Sequence, residues 1–231
     1  MKLVHALRAA DAIGLRDTLL QPGLLAALAD AGVHRLQLNV DDDAIVPGAL
    51  RLQATGDAPI RCVVSSWTDG HADAVTDVLR QTLPPTDPDP AGWEVEERIP
   101  TPPPEAADGV RADALANLAF LRRPAEMDTA AWLAHWHGPH TTVAIETQAT
   151  FGYVQNVVRR SLTASTPRVD GIVEELFPMA AMHDPHAFYG SGGDDAELGR
   201  RIDRLMASVA AFGADRDLDL VPTSRYVVTL G

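Results

Sequence analysis

The sequence predicts an α+β protein of two similar halves, each running strand-helix-strand-strand-helix-strand, whose sheets pack into one barrel-like core. Three observations predict it. Segments of strand length recur in the same order on both sides of a Pro-rich linker, residues 101–109 (TPPPEAADG). Short similar strings hold matching places: HALR at 5–8 with AFLR at 119–122, and RLQLNV at 35–40 with YVQNVV at 153–158. The 46% hydrophobic content of the 231 residues is enough for a real core.

In the first half, residues 2–8 (KLVHALR) form a short apolar strand. Pro22 suits a first helical turn, where its missing N–H costs nothing. Leu24, Leu25 and Leu28 make the apolar stripe of that helix, and Gly32 sits where a left-handed C-terminal residue is wanted. Residues 33–40 alternate, with Leu36, Leu38 and Val40 on one face and Arg35, Gln37 and Asn39 on the other. Asp41, Asp42 and Asp43 open a solvated loop, and 60–67 (IRCVVSSW) is the third strand. Ala72, Val75, Val78, Leu79 and Thr82 recur at helical spacing until Pro84 and Pro85 stop them. PPTDPDP reads as a stiff extended connector, and 93–100 (WEVEERIP) as the fourth strand.

The second half repeats the programme. Residues 114–123 form a strand, and Asp128 caps a helix that Gly138 and Pro139 break or kink, with a further turn or two to Thr147. Strands follow at 152–160 and 171–177. An extra piece, 178–193 (PMAAMHDPHAFYGSGG), carries a short helix from Asp184-Pro185. Asp194 and Glu197 make a capping box for a helix striped by Leu198, Ile202, Leu205, Met206, Val209 and Phe212, and 225–230 is the last strand. The expected division is a first unit at 1–100, a linker at 101–113 and a second unit at 114–231.

A net charge of −13 disfavours nucleic acid and anionic membranes as partners. Cys62 is the one cysteine, so neither an intrachain disulfide nor a cysteine-pair zinc site is available. The N-terminal residues do not read as a signal peptide, and no apolar run reaches the roughly 18 residues of a membrane span. The expected compartment is the cytoplasm, and the wealth of Ala, Arg, Asp and Pro suits a GC-rich bacterial genome.

The densest chemistry lies in DTAAWLAHWHGPHTT, residues 128–142. Trp132, Trp136 and His140 share one face of an unbroken helix. If Gly138-Pro139 interrupts that helix, His140 begins a new segment and feels its positive end, which favours neutral imidazole. His140 then reads either as a pocket-lining base or ligand, or as a polar residue bridging helix segments. The tryptophans read as core first and pocket wall second, while His135 and His137 point away and are expected to be exposed. On the following strand Tyr153 and Gln155 share a face and Asn156 takes the other, with Gln37 as a mirror of Gln155.

LRRP (121–124), Trp132, Trp136, His140, GYVQNVV (152–158) and FYGSGGDDAEL (188–198) together resemble the EthD family of dimeric α/β-barrel proteins, over roughly residues 115–230. The first half lacks the Trp/Trp/His helix and looks like a diverged copy. The resemblance implies two tandem ferredoxin-like units forming an intrachain dimeric α/β-barrel around a small, mostly apolar pocket. It implies binding of a small hydrophobic, aromatic or polyketide-like metabolite. The expected activity is that of a decarboxylase, dehydratase, cyclase or oxidoreductase without bound cofactor or metal, in a monomer (a pseudo-dimer) or a homodimer. His140 would move the proton, with Tyr153 or Asn156 holding an oxyanion or phenol. Trp132, Trp136, Gln155, His5, Phe177, His183 and Tyr189 would line the site. His5 reads equally as a satisfied barrel histidine. His183 and His186, three apart in the extra piece, fall short of a metal ligand set and suit a lid or a surface loop. The alternatives are a non-catalytic carrier of the same ligands and a heme-binding barrel. No Gly-rich phosphate loop, Ser/His/Asp elbow or cysteine nucleophile argues for nucleotide, flavin or acyl chemistry.

Overall fold

The computed structural model describes residues 1–9, 14–83, 90–164 and 166–231. Most of the connector PPTDPDP falls outside the described residues. The strands are β1 (Lys2–Arg8), β2 (Val33–Val40), β3 (Ile60–Thr68), β4 (Ala91–Thr101), β5 (Leu115–Leu121), β6 (Gly152–Ser161), β7 (Gly171–Phe177) and β8 (Asp219–Thr229). They close into one antiparallel barrel in the order β1-β3-β2-β8-β5-β7-β6-β4. The first half supplies β4-β1-β3-β2 and the second β8-β5-β7-β6, and the pairs β2–β8 and β4–β6 seal the seams. Closure leaves no sheet edge to pair with another chain.

Alternation along each strand sorts side chains between the barrel interior and the covering helices. Val4, Val63, Trp93, Leu118, Phe120, Ile172 and Val221 form a cluster that includes no helix residue, so they fill the interior. Trp93 and Phe120 meet there with ring centroids 5.6 Å apart. The rest of the interior is polar and largely paired, with Asn156 Oδ1 left without a hydrogen-bond partner among the described residues. Glu174 accepts from Gln37 Nε2 and Asn39 Nδ2, each at 2.9 Å, and pairs with Arg225 at 3.3 Å. A packed lumen of this kind is a core and not a pocket.

Outside the barrel, α1 (Leu15–Leu19), α2 (Pro22–Asp30) and α3 (Ala72–Thr82) pack on the first half through Leu24, Leu28, Val75 and Leu79. The second half is covered by α4 (Thr129–His135), α5 (Thr141–Thr147) and α7 (Asp195–Ala211). A 3₁₀ turn (Met179–Met182) and α6 (Pro185–Tyr189), both from the extra piece, close over Leu115 and Phe177. No helix among the described residues is long and apolar enough to cross a membrane.

Several expectations are corrected. Gly138-Pro139 does not end the helix: α4 runs through a π-helical turn (Trp136–His140) straight into α5. The wider turn absorbs a proline that cannot donate to a regular helical ladder. His140 therefore sits mid-helix, with no helix N-terminus beside it. The last strand starts at Asp219, because residues up to Thr223 pair with β5 despite Pro222. Asp194 caps α7 through the amides of Ala196 and Glu197, but Glu197 turns to Arg200 and Arg201 and closes no capping box.

Gln37 is not the mirror of Gln155. Val64 faces both His5 and Leu38, and Val173 faces both Ala119 and Gln155. With His5 set against Ala119, Leu38 is the counterpart of Gln155. The similarity of RLQLNV to YVQNVV is off by one residue, which moves every side chain to the other face.

Candidate active site on the second half

Directly opposed residues on antiparallel neighbours share a face. Asn117 on β5 opposes Glu175 on β7, and Glu175 opposes Tyr153 on β6. These three form one row facing the helices. On one side the next row is Ala119, Val173 and Gln155, and beyond it comes a row that is apolar or small. Leu121, Gly171 and Val157 lie under Trp132 and Trp136, and a Cβ on Gly171 would come within 2.5 Å of the Trp136 ring. On the other side Phe177 stacks on Phe188 at 4.3 Å. A polar row thus lies between two aromatic walls.

Within the row, Tyr153 is fully buried while Glu175 and Asn117 keep partial exposure. Burial pushes the Glu175 carboxyl up to about 7. Among the described residues its one hydrogen-bond partner is Gln148 Nε2 at 3.2 Å, with the amide turned to suit its neighbours. Burial, then the charge of Glu175, raises the Tyr153 phenol well above its ordinary range, so it stays a neutral donor. The Asn117 carbonyl oxygen is buried without a partner among the described residues. Tyr189 of α6 reaches the same region, and its phenol is raised by burial and then by Glu175.

Gln155 faces the helices with Tyr153, donating to Thr141 Oγ1 at 2.9 Å and accepting from Arg98 at 2.6 Å. Trp132 and Trp136 are buried core residues 5.0 Å apart. His140 is also buried, but its Nδ1 lies 3.1 Å from Ser208 on α7 and its ring 4.6 Å from Phe212. It therefore belongs to a helix–helix contact. Burial, then His135, holds its imidazole down at about 4. The expected exposure of His135 and His137 gives way to half-burial, with both Nε2 atoms enclosed. His135 stacks on Phe212 and His137 lies against Trp136.

Asn156 points into the barrel, donating to Ile172 O, so it shares no site with Tyr153. His5 is fully buried on the first half with Nε2 3.0 Å from Thr76 Oγ1, remote in the fold from the row. Phe177 is a wall of the row, and His183 is exposed. His186 turns from His183 to Ser191 and Asp195. No group of three or more His, Cys, Asp or Glu side chains among the described residues is placed to hold a metal ion.

Glu175, Asn117 and Gln148 were missed from sequence. The signal was there for Glu175: two adjacent glutamates inside GIVEELF, a strand covered on both faces, must each enter a buried layer.

A second cavity lies away from this row. A concavity of about 860 Å³ opens beside α1 and the loop after β2, lined by Arg16, Asp41, Asp42, Arg51, Arg61, Arg111 and Tyr226 among others. The expected solvated loop is partly buried, with Asp41 clamped by Arg51 and Arg61.

No protein-family model matches the chain, and no curated protein matches its sequence. Among solved structures it is similar to an anthrone oxidase-like protein, with TM-score 0.56, 10% identity and coverage of 100% of this chain and 93% of the other. It also matches a proposed monooxygenase of Lactobacillus acidophilus NCFM, with TM-score 0.48, 11% identity and coverage of 100% and 95%. A further proposed monooxygenase, of Fusobacterium nucleatum, gives TM-score 0.47, 9% identity and coverage of 99% and 91%. The first of these shares the fold of this chain, whose eight strands close into one antiparallel barrel.

Proposed function

We propose that this chain is a cofactor-independent enzyme that moves a proton on a small hydrophobic, aromatic or polyketide-like metabolite bound over Asn117, Glu175 and Tyr153. The observation that carries the reading is the half-buried Glu175 carboxyl, poised at about 7, beside a neutral phenol and between two aromatic walls. A carboxyl poised near neutrality exchanges protons in both directions at working pH, which suits a general acid–base. Tyr153 would donate to the oxygen on which charge develops, and Asn117 Oδ1 would accept from a substrate hydroxyl. The acid–base role thus passes from His140, one layer away, to Glu175. The solved neighbour described as anthrone oxidase-like supports the ligand class. An anthrone is a carbon acid, and removing its proton gives a phenolate-like anion of the kind this row would hold. Decarboxylation, dehydration and cyclisation call on the same proton transfer.

The closed barrel and the matching strand order of its halves support two ferredoxin-like units, 1–100 and 114–231, joined by 101–113. In that reading a monomer is complete.

The test is a screen of anthrones and related phenols, following tryptophan quenching for binding and product for turnover. The expected result is saturable binding with turnover, and a fall in kcat of about 10²–10⁴-fold for Glu175→Gln with binding retained. Equal turnover by Glu175→Gln would remove the acid–base role, and binding with no product would make the chain a carrier.

A further inference from the structure

The 860 Å³ concavity, where α1 and the loop after β2 meet Arg111 and β8, lies outside the row just described and has the size of a small-molecule site. Its wall carries four guanidiniums, those of Arg16, Arg51, Arg61 and Arg111, and four carboxylates, those of Asp17, Asp41, Asp42 and Asp43. Asp41 takes Arg51 at 2.6 Å and Arg61 at 2.5 Å, one carboxylate against two cations. Arg16 pairs with its neighbour Asp17. Asp42 is occupied by hydroxyl donors, Tyr226 and Ser224, each at 2.7 Å.

Arg111 is the exception. Its Nε donates to Ser224 Oγ at 2.8 Å and one terminal nitrogen reaches Met179 Sδ at 3.0 Å, both neutral atoms. No carboxylate among the described residues pairs with it, although it is half-buried. A partly desolvated cation held only by neutral groups has unused attraction for an anion. Beside it the wall turns apolar at Ile45, Pro47 and the Tyr226 ring. With four arginines against four aspartates the wall as a whole is near neutral, on a chain of net charge −13, and among the described residues Arg111 is its one guanidinium that meets only neutral atoms.

We infer that this concavity is a second ligand site, for an organic carboxylic acid with an apolar or aromatic body. The carboxylate sits on Arg111, and the body lies against Ile45, Pro47 and Tyr226. A bare inorganic anion would leave most of the volume empty and the apolar wall unused.

The experiment is calorimetric titration of benzoate, and separately of inorganic phosphate, into the wild-type chain, Arg111→Gln, Arg111→Lys and Glu175→Gln. Expected are saturable benzoate binding weakened by added salt, weaker binding of phosphate, and a loss of about tenfold or more in affinity for Arg111→Gln. Arg111→Lys, which keeps the charge without the fork, should fall between wild type and Arg111→Gln. Glu175→Gln should bind as wild type does, which separates this site from the proposed active site. Absence of saturable benzoate binding, or equal binding by Arg111→Gln, would overturn the inference. Phosphate binding as tightly as benzoate would do the same, since it reduces the concavity to an anion patch.

Discussion

The two halves cover the same barrel with the same order of elements, yet their helix-facing sheet surfaces differ in kind. Setting His5 against Ala119 matches Leu3, Leu36, Leu38, Ser66 and Cys62 with Asn117, Tyr153, Gln155, Glu175 and Gly171. The first set is a nearly apolar surface sealed by α2 and α3. The second carries an amide, a phenol, a second amide and a carboxyl under helices that hold three histidines and two tryptophans. One half is packed for stability. The other tolerates buried polar groups, which cost free energy unless something uses them.

The most severe way to break this contrast is to exchange its central pair. Glu175→Gln should abolish most turnover yet stabilise the fold at pH 8. A carboxyl at about 7 in the folded state, against about 4.5 unfolded, loses stability as pH rises from 4.5 to 7. The upper bound is about 3 kcal/mol, and the gain in Tm on substitution should vanish below pH 4. Ser66→Glu, the reciprocal change at a fully buried position, should cost several kcal/mol, roughly 3 or more. A stable Ser66→Glu would show that the first half is as permissive as the second.

Histidine protonation has the opposite sign and should appear in both halves. Burial holds His5 and His140 at about 4. The folded state keeps them neutral, so the stability they contribute is complete above about pH 6.5 and is lost as pH falls from 6.5 to 4. Each contributes at most about 3 kcal/mol to that acid limb. Urea melts from pH 4 to 8 should show a steep loss below 6.5 that is shallower in His5→Phe. An unchanged limb in that variant would mean that His5 is already charged in the fold.

Gly171 tests the packing difference directly. Its Cβ-less backbone admits Trp136 at a distance no side chain permits, whereas its counterpart Cys62 is covered by aliphatic neighbours. Gly171→Ala should cost about 1–3 kcal/mol by overpacking and shift the tryptophan emission. Cys62→Ala should cost about 1 kcal/mol and leave the emission alone.

The barrel was legible in sequence because strand alternation, linker and helix stripes are local signals that agree with one another. The strand order inside each half follows from topology rules, but the seams β2–β8 and β4–β6 join residues far apart in the chain. The site was half legible. Tyr153 and Gln155 stood out as polar groups on an apolar strand, whereas Glu175 is defined by its neighbours on β5 and β6, which no single segment shows. His140 drew attention through the family resemblance, and the π turn around Pro139 then aimed it at α7.

The finest contrast lies in two histidine–hydroxyl pairs, one in each half. In the first, Thr76 Oγ1 donates to Ala72 O and so must accept from His5 Nε2–H at 3.0 Å, with both residues buried. Thr76→Val leaves that N–H without a partner or water, at a cost of about 1–3 kcal/mol. In the second, Ser208 meets His140 Nδ1 at 3.1 Å but is only half-buried. Water can replace its hydroxyl, so Ser208→Ala should cost under about 1 kcal/mol. If His140 merely braces α5 against α7, Ser208→Ala leaves kcat and its pH profile unchanged. A kcat that falls while stability holds would return the acid–base role to His140 and move the active site from the sheet face to the helix pair.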